Sequence, residues 1–188
     1  ILSDEIYDRI VFDDFKIRSP ASFDDIKEKC IILNGFSKAY AMTGWRIGYA
    51  FANEKIIEAM VRIQQSTTTC PASFVQKAGV AALKGPQDSI QKMVQEYDKR
   101  RKVIVEKLKI VGLNCNMPKG AFYVFPEIRN LGISSLEFCS KLLEEEGVST
   151  TPGSVFGESG EGYIRISYAT TLDIIDKAIN KIKTFVNK

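Results

Sequence analysis

Residues 34–48 read NGFSKAYAMTGWRIG, and they directly follow a short apolar run, CIIL, at residues 30–33. An apolar run of this length predicts a buried parallel strand. Lys38 therefore follows a strand end in a loop with glycine and serine, and Arg46 comes eight positions later. A lysine partly shielded from water loses its proton more readily and attacks carbonyl carbons. Because Arg46 and nearby hydroxyl groups can hold a phosphate, the residues favour a site for an aldehyde that carries a phosphate.

The alternative interpretation of the same residues is structural. Lys38 would then be a surface lysine and Arg46 a solvated arginine, with Trp45 between them as a core side chain. For an arbitrary pair of lysine and arginine at this spacing the structural interpretation is the more frequent one, because short motifs recur by chance. The wider pattern of residues has to decide between the two.

Composition restricts the class of protein. The 188 residues are 45% hydrophobic and 26% charged, a balance typical of a soluble globular protein. The net charge of +3 is dispersed, which argues against nucleic-acid binding, and no segment is apolar enough for a membrane helix. The four cysteines are far apart, so they predict neither a metal site nor disulfides and fit a reducing cytoplasm. Without histidine, acid–base chemistry must use lysine, tyrosine, carboxylates or a cofactor.

The N-terminus reads ILSDEIYDRI. It lacks the basic start and apolar stretch of a signal peptide, so we expect a cytoplasmic protein. It also lacks an initiator methionine, and acidic residues follow closely, which suggests a cut through a larger protein.

Strand and helix patterns alternate along the chain and predict an α/β or α+β fold. Strands are predicted to end near residue 3 and to occupy residues 30–33, 45–52, 120–126 and 163–169. Helices are predicted over residues 54–65, 71 to about 83, 86 to about 111, 134 to about 147, and from 171 onwards. Residues 152–157 are predicted to form a turn-rich loop. The predicted helix caps are Asn53, Thr171, and the capping box of Ser134 with Glu137.

Two helices are predicted to be amphipathic. The first carries Ile56, Ile57, Met60 and Ile63 on one face. The last is predicted to turn a face inward that consists of Ile174, Ile175, Ala178, Ile179, Ile182 and Phe185.

Three pieces of the opening segment match one known pattern: GFSK at residues 35–38, AM at 41–42 and GWRIG at 44–48. They are similar to the lysine signature of class I and II aminotransferases, which are pyridoxal 5′-phosphate enzymes of fold type I. Within that family the resemblance is to the branch of bacterial and archaeal aspartate aminotransferases. It implies that Lys38 binds the cofactor as a Schiff base and moves a proton between the substrate and the cofactor. It also implies that Arg46 pairs with the cofactor phosphate, with Ser37 as a further phosphate ligand.

Two more segments resemble family elements. DEIY at residues 4–7 is similar to the D-x-x-Y element, which implies that Asp4 pairs with the pyridine nitrogen and that Tyr7 hydrogen-bonds the phenolic oxygen and assists catalysis. YIRISYA at residues 163–169 is similar to the strand whose arginine binds the substrate α-carboxylate, which implies that role for Arg165.

The sequence departs from the family in two places. Many relatives carry serine or threonine three residues before the lysine as a phosphate ligand, whereas this chain has Gly35. Some aspartate-specific relatives carry an arginine in the loop that corresponds to STTTCP at residues 66–71, and this loop has none. Specificity for a dicarboxylate therefore does not follow from that loop.

The resemblance covers the whole chain but about half of the family's length. It implies that residues 1–85 are the last part of a large α/β cofactor domain, that 86–111 are a connecting helix and that 112–188 are a small α+β domain. The implied activity is amino transfer from an amino acid, with aspartate expected, to 2-oxoglutarate, in a ping-pong reaction through pyridoxamine phosphate. The full-length parent is expected to be a homodimer, and this piece is expected to be inactive alone. The alternatives are transamination of alanine, aromatic amino acids or 2-aminoadipate, a C–S lyase on the same scaffold, or a folded fragment that is not an enzyme.

Overall fold

The computed structural model describes all residues from Ile1 to Lys188, and the chain forms two compact units, Ile1–Met93 and Val94–Lys188. The first unit contains strands β1 (Leu2–Asp4), β2 (Ile31–Gly35) and β3 (Gly48–Phe51), and helices α1 (Glu54–Thr67) and α2 (Ser73–Lys84). Helix α3 (Asp88–Ile110) begins in the first unit and continues into the second. The second unit adds β4 (Tyr123–Val124), α4 (Ser135–Glu146), β5 (Thr151–Pro152), β6 (Ile164–Ser167) and α5 (Leu172–Val186). None of the helices has the length and apolar character needed to span a lipid bilayer.

The sheet of the first unit has the strand order β1-β2-β3. Strands β1 and β2 are parallel, with Leu2 opposite Ile31 and Asp4 opposite Leu33. The predicted parallel strand is thus confirmed, although β2 lies slightly later in the chain than residues 30–33. Because parallel strands run in the same direction, β1 and β2 end at the same side of the sheet, at Asp4 and Gly35.

Strand β3 is shorter than the predicted strand at residues 45–52. Thr43–Trp45 form a 3₁₀ turn, and Arg46 has a left-handed backbone with φ 51° and ψ 49°. Pairing therefore begins only at Gly48, which lies opposite Gly35. The two backbones are close there, since a Cβ on Gly48 would lie 2.9 Å from the Asn34 carbonyl oxygen. The turn interrupts a run of residues whose apolar character alone predicted a continuous strand.

The helices of the first unit follow their predicted starts closely. Helix α1 begins after Asn53, whose side-chain oxygen accepts a hydrogen bond from the Lys55 amide at 3.0 Å. Helix α2 begins at Ser73, two residues after the predicted start at Pro71. Helix α3 has 23 residues and is therefore about 35 Å long.

The predicted apolar face of α1 is only partly covered. Ile56, Ile57 and Met60 are half-buried, but Ile63 is 65% exposed, and no α1 residue is fully buried. Ile63 therefore stays open to solvent, because no other element of the first unit covers that turn of the helix.

The second unit has its own sheet and core. Its three short strands are antiparallel in the order β4-β6-β5. Helices α3, α4 and α5 pack apolar side chains against one face of this sheet. The core residues with no more than 2% exposure are Ile104, Leu108, Leu113, Val124, Ile128, Phe138, Leu142, Ile164, Tyr168, Ile175 and Ile182.

The predicted capping box of α4 forms only in part. The Ser134 hydroxyl accepts a hydrogen bond from the Glu137 amide at 3.2 Å, as predicted. The Glu137 carboxylate, however, pairs with Lys141 at 2.8 Å, so the reciprocal half of the box is absent. Thr171 occupies the N-cap of α5, but its hydroxyl bonds the Asp173 carboxylate rather than a helix amide.

Two further predictions for the second unit need correction. The strand predicted over residues 120–126 is reduced to Tyr123–Val124, since Ala121 has a left-handed backbone with φ 60° that ends pairing. In α5, Ile175, Ile179 and Ile182 are buried as predicted, whereas Ile174 is 49% exposed. The predicted loop at residues 152–157 begins at β5 and continues as a 3₁₀ turn.

Candidate functional site

An open pocket of about 410 Å³ lies where β1 and β2 end. Polar and charged side chains from three separate stretches of sequence meet in it. The pocket is lined by Asp4, Ile6, Leu33, Asn34, Ser37, Lys38, Thr43 and Arg46. The pocket thus brings together four of the residues singled out from the sequence, namely Asp4, Ser37, Lys38 and Arg46.

Lys38 reaches this pocket because of the loop that follows β2. The neighbouring Phe36 and Ala39 are buried and anchor the loop, which leaves Lys38 half-buried at the pocket. The loop is closed by backbone hydrogen bonds from the Tyr40 and Met42 amides to the Phe36 carbonyl oxygen, both at 3.2 Å. The amine is therefore carried on a folded backbone rather than on a mobile chain.

Tyr7 lies next to Lys38, although it does not line the pocket itself. The Lys38 Nζ atom is 5.7 Å from the centroid of the Tyr7 ring. Tyr7 is half-buried and lies three residues after Asp4, in the turn that follows β1. The structure therefore places this phenol close to the amine that the sequence marked as reactive.

Asp4 supplies an accessible carboxylate to the pocket. One of its oxygens, Oδ1, accepts a hydrogen bond from the Ile6 amide at 3.2 Å. Asp4 is exposed and forms no ion pair with a lysine or arginine of the chain. The carboxylate is thus available to a ligand that carries a proton or a positive charge.

Arg46 supplies a cation to the same pocket. Its left-handed backbone lets the side chain turn back, and Nη1 donates to the Thr43 carbonyl oxygen at 2.9 Å. Arg46 is exposed and has no carboxylate partner in the chain. Because its charge is not neutralised internally, the Arg46 guanidinium can bind an anionic group.

Sequence reasoning missed two polar residues of the pocket. Asn34 donates from Nδ2 to Asp8 at 3.0 Å, and its Oδ1 accepts from the Gly35 amide at 2.7 Å. The contact with Asp8 holds the end of β2 to the turn after β1. Thr43 lines the pocket beside Arg46 and holds that residue through its carbonyl group. Both residues belong to the segment 34–48, but their side-chain types alone did not distinguish them.

Packing around Gly35 explains why this chain has glycine where many relatives have serine or threonine. A Cβ at this position would lie 3.1 Å from the Gly48 Cα and from the Ile47 carbonyl oxygen, and 3.3 Å from the Ile6 side chain. Contacts this short mean that a serine or threonine would require a small shift of the neighbouring strand. The close approach of β2 and β3 therefore favours glycine here.

Arg165 lies in the second unit, on β6. Its neighbours Ile164 and Ile166 point into the core, so Arg165 points to the other face of the sheet. Its guanidinium carbon is 4.5 Å from the Tyr123 ring centroid and 4.8 Å from that of Phe156. Arg165 is half-buried and, like Arg46, has no carboxylate partner in the chain.

The chain matches known proteins over its whole length. The sequence profile described as aminotransferase class I and II matches residues 1–182. The chain is 44% identical to an aspartate aminotransferase of Pyrococcus abyssi, over 97% of this chain and 48% of that protein. It is also 44% identical to an aromatic-amino-acid aminotransferase 2 of Thermococcus litoralis, again over 97% of this chain and 48% of that protein.

The fold matches as well. The solved structure of an aromatic aminotransferase from Pyrococcus horikoshii superimposes with a TM-score of 0.96 at 44% identity, covering 99% of this chain and 50% of that one. The chain therefore spans about half the length of the curated relatives it matches, and its mixed helix and sheet corresponds to part of the fold type I architecture. Members of the matching family depend on pyridoxal phosphate. The chain belongs to the class I and II aminotransferases.

Proposed function

We propose that this chain provides half of the machinery for pyridoxal-phosphate-dependent transamination between an amino acid and a 2-oxo acid. The observation that carries the proposal is the single pocket lined by Asp4, Ser37, Lys38 and Arg46. A primary amine, a carboxylate, a hydroxyl and a guanidinium without a carboxylate partner are the groups that an aldehyde-, pyridine- and phosphate-bearing ligand needs. The residues of the pocket thus fit pyridoxal phosphate chemically.

Each pocket residue has one task in this proposal. When bound, pyridoxal phosphate supplies an aldehyde that captures amino groups and a ring that withdraws electrons from the substrate α-carbon. Lys38 Nζ holds the aldehyde and afterwards carries the proton taken from the substrate α-carbon. Asp4 keeps a proton on the pyridine nitrogen. Arg46 and Ser37 bind the phosphate, and the Tyr7 hydroxyl donates to the phenolic oxygen.

Arg165 is proposed to bind the α-carboxylate of the substrate. The support is its chemistry and its environment. A planar guanidinium matches a carboxylate with two parallel hydrogen bonds, and no carboxylate of this chain competes for it. A carboxylate is common to every amino acid and 2-oxo acid, so this residue would serve both halves of the reaction.

Aspartate with 2-oxoglutarate is our proposed substrate pair. The support is the 44% identity to a protein named aspartate aminotransferase. A relative of equal identity is named for aromatic amino acids, so aromatic transamination is the principal alternative. Transamination of alanine or 2-aminoadipate, a C–S lyase and a cofactor-free module are the others. Initial rates of the full-length parent on aspartate, phenylalanine, alanine, 2-aminoadipate and cystathionine decide among the enzymatic activities. A parent that shows no visible absorption after incubation with pyridoxal phosphate would favour the cofactor-free module.

We further propose that the parent works as a cytoplasmic homodimer. The support for association is apolar surface that this chain leaves open in its first unit. The exposed large side chains there include Leu2, Trp45, Phe51, Val61, Ile63, Phe74, Val80 and Leu83. Apolar side chains in such number generally mark surfaces that other polypeptide covers.

Replacing Arg165 with lysine in the parent is expected to raise KM for every amino acid and 2-oxo acid, whatever its side chain. The loss of a charged two-point contact costs about 1.5–3 kcal/mol, which is roughly tenfold to a hundredfold in affinity. Steady-state kinetics on three amino acids measure it. Arg129→Lys is the matched control, since Arg129 lies 4.8 Å from the Tyr163 ring but pairs with Glu127. A defect confined to one substrate would make Arg165 a side-chain specificity residue instead.

The 188-residue chain by itself is expected to fold at least partly but to lack useful transaminase activity. Strand β1 is an edge strand, and its Leu2 and the preceding Ile1 are exposed, so association or aggregation is expected. Catalytic geometry that is loose by about 1 Å costs on the order of a hundredfold in rate. Light scattering and an assay with pyridoxal phosphate, aspartate and 2-oxoglutarate test both points. Turnover equal to that of the parent would refute the expectation.

A further inference from the structure

The outer face of the small sheet carries a cluster of aromatic rings around Arg165. Side chains alternate between the two faces of a strand, and Ile164 and Ile166 occupy the core face of β6. Tyr123 lies opposite Ser167, two residues from Arg165 on the same face. Thr151 lies directly opposite Arg165 on β5. The pairing of β4 and β5 with β6 therefore brings Tyr123 and Thr151 next to the Arg165 guanidinium.

Phe156 completes the Arg165 cluster, which we define as Arg165, Tyr123, Phe156 and Thr151. The Phe156 ring centroid is 4.8 Å from the guanidinium carbon, the Tyr123 centroid is 4.5 Å away, and Thr151 Oγ1 accepts from Nη2 at 3.4 Å. The cluster contains no carboxylate that pairs with Arg165. The arginine is thus held by ring faces and one hydroxyl, which leave its charge unneutralised.

The turn that carries Phe156 is itself held in place. The Gly153 amide donates to the Tyr163 carbonyl oxygen at 2.8 Å, and Gly153 packs against the Gly160 backbone so closely that no side chain would fit. The buried Ser135 hydroxyl donates to Glu161 Oε2 at 2.8 Å and lies 3.1 Å from the Ser154 hydroxyl. These contacts fix the start of the turn, although the Phe156 ring remains 52% exposed.

We propose that Tyr123 and Phe156 are positioning residues that hold Arg165 ready for the substrate carboxylate, a role that rests on the proposed function. A ring face attracts a guanidinium without neutralising it, so the arginine is restrained yet keeps its full charge for a ligand. An arginine restrained before binding loses less conformational freedom when the carboxylate arrives. An acidic partner would restrain Arg165 equally well but would compete with the substrate.

The two rings are expected to contribute unequally to the positioning of Arg165. Tyr123 is half-buried on a strand, whereas Phe156 lies in a turn and is mostly exposed to solvent. A cation–ring contact weakens when water reaches it. Tyr123 is therefore the main positioning residue, and Phe156 is the weaker one.

The test uses the full-length parent that contains this chain, with Tyr123→Leu, Tyr123→Phe and Phe156→Leu variants. Tyr123→Leu is expected to raise KM for all amino acids and the Kd of succinate, a carboxylate that cannot react, by roughly threefold to thirtyfold. Its kcat should stay within about twofold, because the ring restrains Arg165 before binding.

Tyr123→Phe keeps the ring and should restore binding, and Phe156→Leu should have the smaller effect. Phe23→Leu is the matched control, since it removes a partly exposed ring that contacts an arginine, Arg18, in the first unit and away from the Arg165 cluster.

A double-mutant cycle separates positioning from a general structural effect. In an Arg165→Lys background, Tyr123→Leu should add little to KM, because the two changes remove one shared interaction. Additive effects would overturn the proposal, as would an unchanged succinate Kd in Tyr123→Leu.

A second readout does not depend on activity. The Arg165 Nε–H signal in ¹H–¹⁵N spectra should shift when Tyr123 becomes leucine but keep its position when Tyr123 becomes phenylalanine. The parent could bind succinate at Arg165, weaken that binding in Tyr123→Leu and restore it in Tyr123→Phe, yet transfer no amino group. In that case the proposed function fails and the positioning role stands. An Arg165 signal unaffected by Tyr123→Leu would overturn the positioning role itself.

Discussion

Replacing Lys38 with alanine is expected to abolish transamination by the full-length parent and to remove covalent attachment of the cofactor. Lys38 is the only lysine that lines the pocket with Asp4 and Arg46. Its amine has two tasks in the proposed reaction, since it holds the aldehyde and carries the α-proton. Loss of a positioned proton carrier costs about 10²–10⁴-fold in rate, and loss of the nucleophile adds to it.

Borohydride reduction in the presence of pyridoxal phosphate, followed by peptide mass mapping, identifies the attached lysine without any assay of activity. Lys38→Arg keeps the charge but not the nucleophile and should fail equally. Lys55→Ala, on the exposed face of α1, is the control and should behave like the unchanged protein. A reduced label on another lysine would remove Lys38 from its role.

Replacing Asp4 with asparagine is expected to leave the cofactor bound but to slow removal of the substrate α-proton by on the order of a hundredfold or more. The Asp4 carboxylate has no cationic partner in the chain, and in the proposed reaction its negative charge holds a proton on the pyridine nitrogen. An amide of the same shape keeps the hydrogen bond from Ile6 but carries no charge. The substrate α-carbon then deprotonates less readily because the ring withdraws fewer electrons.

Single-turnover kinetics with α-deuterated and ordinary aspartate measure the proton-removal step, and ¹⁵N spectra of labelled cofactor report the protonation of the ring nitrogen. Asp14→Asn is the matched control, because Asp14 lies outside the pocket and asparagine tolerates its left-handed backbone at φ 53°. Near-normal proton removal in Asp4→Asn, with the ring nitrogen still protonated, would assign the nitrogen partner to another group.

The open apolar surface of the first unit affects how all of these experiments should be done. Helix α1 has no fully buried residue, and β1 is an edge strand that pairs only with β2. The second unit, in contrast, has a continuous core and its own sheet. Kinetic variants therefore belong in the full-length parent, whereas the Arg165 cluster can also be observed in this chain by spectroscopy.

Local features of the sequence determined the helices and the reactive segment. Asn53 caps the start of helix α1 and Gly147 caps the end of α4, and both could be predicted because capping depends on residues a few positions apart. The lysine signature at residues 34–48 was recognisable for the same reason, since its constraints are close in sequence. The buried isoleucines of α5 followed from the helical repeat.

Only the tertiary structure decided which side chains share a pocket and which faces stay open. Asp4 and Lys38 are far apart in sequence, and they line one pocket because β1 and β2 pair in parallel and end at the same edge. The left-handed turn at Arg46 and the exposure of Ile174 likewise depend on what packs nearby. Strand register brings Tyr123 next to Arg165, and the turn after β5 adds Phe156, so the cluster depends on three separate segments that no local pattern links. Capping and periodicity act over one or two helical turns, whereas pairing and burial depend on contacts between distant residues.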